Sequence, residues 1–307
     1  MRKIGIIMIA FIICTVGFPT GSFAATNNHS DDQTEKQYDT TNDKKDSKQD
    51  DEYNQLGVKK GTKVHGEDIS KLTKDELQYI PEGWRDGIDE GEDEHEHVNH
   101  GEAEENKLST FKKANYPNVN DYIQSKNLPT AKVAYDHKSV FPKFGYRNGK
   151  PEGVVAHETA NNSSTIDNEI SYTTRNYQNA FVHAFVDNSR VIEMHPPNYA
   201  SWGAGRFANE RFIHVELVRV HSFDKFARSI NNYANYIASL LWKYDLGVSS
   251  AEKTGTGSLW SHKAVSNHLG GTTHVDPHAY FQQWGYNWDE FVDLVQLKYD
   301  ELAVTKK

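Results

Sequence analysis

An α/β domain with a single central mixed sheet flanked by helices is predicted for residues 108–307, preceded by a signal peptide over 1–25 and a disordered acidic segment over 26–107. Two observations carry the fold class. Short runs with strand periodicity are interspersed with longer stretches of helical periodicity, the pattern of one sheet covered by helices. Composition also changes near residue 108, after which nearly all of the tryptophan and phenylalanine is found, in a stretch of about 200 residues that can bury a sizeable core.

The leader comes first. Arg2 and Lys3 form a charged start, Ile4 to Phe18 an apolar core, and Ser22-Phe23-Ala24 a small-x-small cleavage pattern. The apolar run is shorter than a membrane span and ends in Pro19, Thr20 and Gly21, which favours a cleaved signal over an anchor. The chain is therefore expected to be secreted, extracellular or cell-wall associated.

Residues 26–107 carry 24 acidic and 11 basic side chains and few apolar ones, so burial there is not expected to offset chain entropy. One stretch stands apart. In Ile69 to Ile80, Thr73-x-x-Glu76 has the form of a capping box, and Leu77 and Ile80 could dock a short helix on another surface. Glu94-His95-Glu96-His97-Val98-Asn99-His100 gathers ligand-type residues, but a solvated linker with incidental histidines is the better reading of a tract that fixes no geometry.

From residue 108 the elements follow in order. Gly153 to His157 reads as a buried strand delivering His157 at its end, and Asn179 to Asp187 as a strand that turns at Asp187-Asn188-Ser189 and pairs back through Arg190 to Met194. Phe212 to Val218 alternates, so Ile213, Val215 and Leu217 share one face while His214 and Glu216 share the other. Helical spacing marks Phe226 to Tyr244, His262 to Leu269 before Gly270-Gly271, and Trp288 to Glu301 behind a cap at Asn287. There is no internal repeat.

Composition excludes several functions. The net charge of −9 and the lack of any Lys/Arg cluster interleaved with aromatics argue against nucleic acid as a partner. After the leader no run approaches the roughly 20 apolar residues of a membrane helix. The single cysteine, Cys14, lies in the leader, so thiolate chemistry and disulfides are not expected in the mature chain. A metal would need His, Asp or Glu. His157, His262 and the loop His274-Val275-Asp276-Pro277-His278 can supply two imidazoles and a carboxylate, a donor set suited to catalytic zinc with one open position.

These residues also carry a resemblance. His157-Glu158-Thr159-Ala160-Asn161, Asn179 to Asp187, Phe212 to Leu217, Trp260-Ser261-His262 and His274 to His278 are similar, in order and spacing, to the type 2 family of zinc-dependent N-acetylmuramoyl-L-alanine amidases. Within it they resemble the amidase module of staphylococcal-type autolysins; peptidoglycan recognition proteins are related. The likeness covers about residues 114–300. It implies His157, His262 and Asp276 as Zn2+ ligands, Glu216 as general base, and His274 as the group that polarises or protonates at the scissile amide. It implies a peptidoglycan hydrolase that uses zinc-activated water to cut between N-acetylmuramic acid and L-alanine of the stem peptide.

Two other functions are compatible with such a site: a peptidoglycan-binding module without turnover, and a zinc peptidase acting on the cross-bridge. Trp202, in Ser201-Trp202-Gly203-Ala204-Gly205, could line the substrate groove or pack in the core, and Glu216 could be an idle carboxylate paired with Arg219. His183, His195, His214, His221, His268 and His278 are expected to serve packing or hydrogen bonding, His278 with a supporting place beside the ligands. No tandem wall-binding repeats are present, and a monomer is expected.

Overall fold

The computed structural model describes residues 52–87 and 115–305. The leader, Cys14 and the Glu94 to His100 motif lie outside the described residues.

Residues 153–158 are buried at every position because their strand is covered on both faces and paired on both edges. This strand, β4 (Gly153–Glu158), sits inside a six-stranded sheet with β3 (Val133–Tyr135), β5 (Ala184–Val186), β6 (Val191–Glu193), β7 (Phe212–Leu217) and β8 (Leu259–Ser261), in the order β3-β6-β5-β7-β4-β8. Only the β5–β6 hairpin is antiparallel; the other neighbours run parallel, so the sheet is mixed. The turn at Asp187 is tied by its own carboxylate, which accepts from the amides of Ser189 and Arg190, both at 2.7 Å.

Two long helices cover one face. α5 (Phe223–Lys243) begins three residues before the expected Phe226 because the Ser222 hydroxyl caps it, accepting from Lys225 N. α8 (Trp288–Thr305) starts where expected, with Asn287 and Glu290 exchanging reciprocal caps at 2.9 and 3.0 Å. Ile230, Tyr233, Ala234, Ile237 and Leu241 meet Val154, Ala156, Ile213, Val215 and Leu217 in the main core, where Phe291, Leu294 and Val295 join them. The shorter helices α2 (Val119–Ser125), α3 (Ile166–Arg175), α4 (Arg206–Asn209), α6 (His262–His268) and α7 (His278–Gln283) complete the layers. Period two along β7 turns His214 and Glu216 away from the main core.

The expectation of an unfolded segment over 26–107 fails for residues 52–87. A two-stranded ribbon, β1 (Lys63–Val64) with β2 (Glu67–Asp68), and a single helical turn, α1 (Lys74–Leu77), enclose a small core of Val58, Val64, Ile69, Leu77 and Ile80. The capping box forms, Thr73 N donating to Glu76 Oε2 at 2.9 Å and Glu76 N to Thr73 Oγ1 at 3.3 Å. Averaged composition hid this because the few apolar residues bury partly against the larger body. Tyr79 joins the main core, and its hydroxyl donates to Gly145 O at 3.0 Å. Among the described residues no helix is long and apolar enough to cross a membrane.

Candidate metal centre and its cleft

Three elements converge on one point. His157 ends β4; His262 opens α6, whose N-terminus is held by the Ser261 hydroxyl accepting from Ala264 N at 2.9 Å; Asp276 comes from the loop between α6 and α7. The Nδ1 atoms of His157 and His262 are 3.0 Å apart, His262 Nδ1 is 3.0 Å from Asp276 Oδ1, and His157 Nδ1 is 3.4 Å from Asp276 Oδ2. Among the described residues this is the group of three that could hold a metal ion.

The donor set fits a tetrahedral cation. Ligand bonds of about 2.0–2.1 Å place neighbouring donors about 3.3 Å apart at the corners of a tetrahedron. Burial alone would push the Asp276 carboxyl up, yet the His262 and His157 rings beside it hold it well below the usual carboxylate range. A buried anion facing two ring nitrogens is a place for positive charge.

Each of these three side chains is oriented from behind. His157 Nε2 lies 3.0 Å from Nδ1 of His214, His262 Nε2 lies 2.9 Å from the Thr272 hydroxyl, and the amide of Glu158 donates to Asp276 Oδ2 at 3.1 Å. His214 is fixed in turn. Its backbone amide donates to His183 Nδ1 at 2.9 Å, which leaves His183 Nε2 to carry the proton and donate to Tyr199 O at 2.9 Å. Burial lowers His183 to about 4 and, with the His157 ring next, takes His214 well below its ordinary value, so both rings are neutral at physiological pH. Gly203 makes room for the His214 ring, since a Cβ there would stand 2.6 Å from its Cγ.

Glu216 lies beside this group. Arg219 does not pair with it; that guanidinium holds Glu158 in a bidentate pair at 2.6 Å, both side chains 3% exposed. Glu216 Oε2 is buried without a hydrogen-bond partner. Burial, then the nearby Asp276 and Glu158 carboxylates, raise its pKa well above the usual range. His274 stands at the exposed edge, its ring centroid 4.8 Å from that of His262.

A cavity of about 220 Å³ opens over these side chains and runs along α3, past Glu169, Tyr172 and Asn176. Trp202 borders it but belongs to the core: it is 3% exposed, stacks on Phe144 at 5.5 Å, and donates through Nε1 to Gln78 O at 2.9 Å. Its indole N–H and one face are already occupied, so only the remainder of the ring contributes to the cavity wall. His278 Nε2 meets Glu252 Oε1 at 2.9 Å and Ser261 Oγ at 3.3 Å, so it braces the cap before His262.

Sequence reasoning did not give His214 its part behind His157, although the alternation of β7 had placed it on the face of Glu216. Thr272 and the cleft residues Glu169, His65 and Trp84 gave no local signal at all.

The family model described as N-acetylmuramoyl-L-alanine amidase matches residues 147–279, which include His157, Glu216, His262, His274 and Asp276. Protein Ami of Listeria monocytogenes serotype 1/2a is 56% identical over 230 residues, covering 74% of this chain and 25% of that protein. The bifunctional autolysin of Staphylococcus epidermidis is 54% identical over 183 residues, 59% of this chain and 14% of that one. The match thus spans a quarter or less of these curated relatives. A crystal structure of Staphylococcus aureus hydrolase AmiA in complex with its ligand superposes with a TM-score of 0.59 at 52% identity, over 62% of this chain and 93% of that one. Near-complete coverage of that hydrolase at such identity, together with the family match across every strand and loop that builds the metal centre, places this chain in the N-acetylmuramoyl-L-alanine amidase family.

Proposed function

We propose that this protein is a secreted, wall-associated zinc amidase that hydrolyses the amide between N-acetylmuramic acid and the L-alanine of the peptidoglycan stem peptide. The observation that carries the reading is the convergence of His157 Nδ1, His262 Nδ1 and Asp276 within 3.0–3.4 Å, beside a carboxylate with a partnerless buried oxygen.

Bound there, zinc supplies Lewis acidity and lowers the pKa of a water toward about 7. His157, His262 and Asp276 hold it; His214, Thr272 and the Glu158 amide keep their donor atoms aimed. Glu216 accepts the proton of the attacking water at its carboxylate and returns it to the departing alanine nitrogen. His274, at the mouth and clear of the donor set, donates to the oxygen on which charge develops.

Metal content and release of stem peptide, measured for wild type and Glu216→Ala, test this reading. The wild type should carry about one zinc per chain and free intact stem peptides from glycan. Glu216→Ala should keep the metal and lose turnover by a factor of about 10²–10⁴. Alanine left on the muramoyl group would identify a cross-bridge peptidase instead, and wall binding that survives chelation without any turnover would identify a binding module.

A further inference from the structure

Residues 52–87 lie outside the stretch that the family model matches, yet they are bound tightly to the catalytic body. Arg206 grips Glu67 through two hydrogen bonds of 2.7 and 3.0 Å, Asn209 Nδ2 donates to Tyr79 O at 3.0 Å, and Gly83 N donates to Gln178 O at 3.0 Å. Gly83 packs so closely on Asn179 that a side chain there would collide with its amide oxygen. This docking carries His65, Pro81 and Trp84 into the wall of the same cavity that holds the metal centre.

Besides Glu216 Oε2 and Thr159 Oγ1, two further atoms in the lining residues have unmet hydrogen-bonding capacity. Among the described residues, Trp84 Nε1 is buried with no acceptor, and Glu169 Oε1 is buried with no donor, Glu169 being only 8% exposed. Leaving such groups unsatisfied is costly, an arrangement that persists where a ligand completes it. One is donor-only and the other, when ionised, acceptor-only. A peptide presents carbonyl oxygens and N–H groups as separate, regularly alternating sites, which suits this pair. A carboxylate without a counter-cation also favours N–H donors over further oxygens.

We propose that residues 52–87 complete the substrate cleft, and that Trp84 and Glu169 form a subsite for the stem peptide beyond its L-alanine, Trp84 donating to a peptide carbonyl and Glu169 accepting from a peptide N–H or ammonium group. The proposal rests on the amidase reading above. It makes Trp84 a specificity residue contributed by a segment that is not part of the matched catalytic stretch.

The test is calorimetric titration of the zinc-loaded full chain carrying Glu216→Ala, so that ligands bind without being cut. Three ligands are compared: a muramoyl dipeptide, a muramoyl tetrapeptide on the same sugar, and the dipeptide on a longer glycan. Trp84→Phe keeps a ring against the small core and removes the N–H; Glu169→Gln, on a different element, keeps the shape and removes the charge. Each should weaken the tetrapeptide ligand by about 3–10-fold, the range expected for one lost hydrogen bond, and leave both dipeptide ligands within about twofold. Losses equal on all three ligands, no loss on any, or a loss that follows glycan length would overturn the proposal. Absence of binding by every ligand to the unaltered Glu216→Ala chain would overturn the amidase reading itself, a distinguishable failure.

Discussion

His157 and Glu216 are cross-strand partners in the parallel β4–β7 pair. Adjacent parallel strands stand about 4.8 Å apart, so the ligand and the carboxylate share one face at a spacing set by the sheet. From α5 the Tyr233 hydroxyl shares its proton between the carbonyls of His157 and Val215, 2.8 and 2.9 Å away, and locks the two strands at that level. The carboxylate is held there against its own solvation preference, and this has a thermodynamic consequence.

Because Glu216 is raised above its ordinary 4.5, the metal-free folded protein holds a proton that the unfolded chain has released. Stability therefore falls as pH rises through the window from about 4.5 to the raised folded value. Glu216→Gln removes that loss. Thermal melts of the metal-free variant should match wild type near pH 4 and exceed it at pH 7, with roughly 2–4 °C gained for each kcal/mol relieved. A variant that melts lower at pH 7 would contradict the assignment of Glu216 as a strained, unpaired carboxylate.

His214 should govern metal retention. Its Nδ1, 3.0 Å from His157 Nε2, fixes the ring that presents Nδ1 to the site. Supporting partners of this kind are worth about 10–100-fold in metal affinity. His214→Ala is expected to lose zinc to a competing chelator at a concentration lower by that factor, with the sheet intact by circular dichroism. Unchanged retention would show that packing alone orients His157.

Legibility of the sequence followed the length of the element and the locality of the signal. Strand β4 was readable as a continuous apolar run, β7 by its alternation, and helices α5 and α8 by helical spacing with recognisable caps. The three-residue strands β3 and β8 were not, since neither flanks a turn signal as the equally short β5 and β6 do, and their pairing is settled by neighbours far along the chain. The ligands were legible through ordered motifs and a family likeness. His214 was half legible: alternation placed it with Glu216, while its partner His157 is 57 residues away and left no local trace. Residues 52–87 were misread because their burial depends on surfaces such as Tyr79 against the main core, which composition cannot report.

Arg219 anchors a buried ion pair beside the site. It is 4% exposed and neutralises the equally buried Glu158, whose backbone amide in turn donates to Asp276. Removing one partner of a buried pair strands the other charge and costs about 3–5 kcal/mol. Arg219→Ala should lower the melting temperature sharply and weaken metal binding together, whereas Arg219→Ala with Glu158→Gln should recover part of both. Independent, additive losses in the double variant would show that the two side chains do not act as a pair.

The pH profile of turnover should have an acid limb owed to Glu216. In the proposed role of general base it must be ionised, and its burial favours the neutral form, so kcat/KM falls as pH drops from neutrality. Protons also compete with the metal for its proposed imidazole ligands, which steepens the fall further. The two causes separate experimentally: metal content measured across the same pH range isolates ligand protonation, and the remainder belongs to Glu216. With zinc fully retained, a rate that keeps rising below pH 6 would remove Glu216 from the role of base.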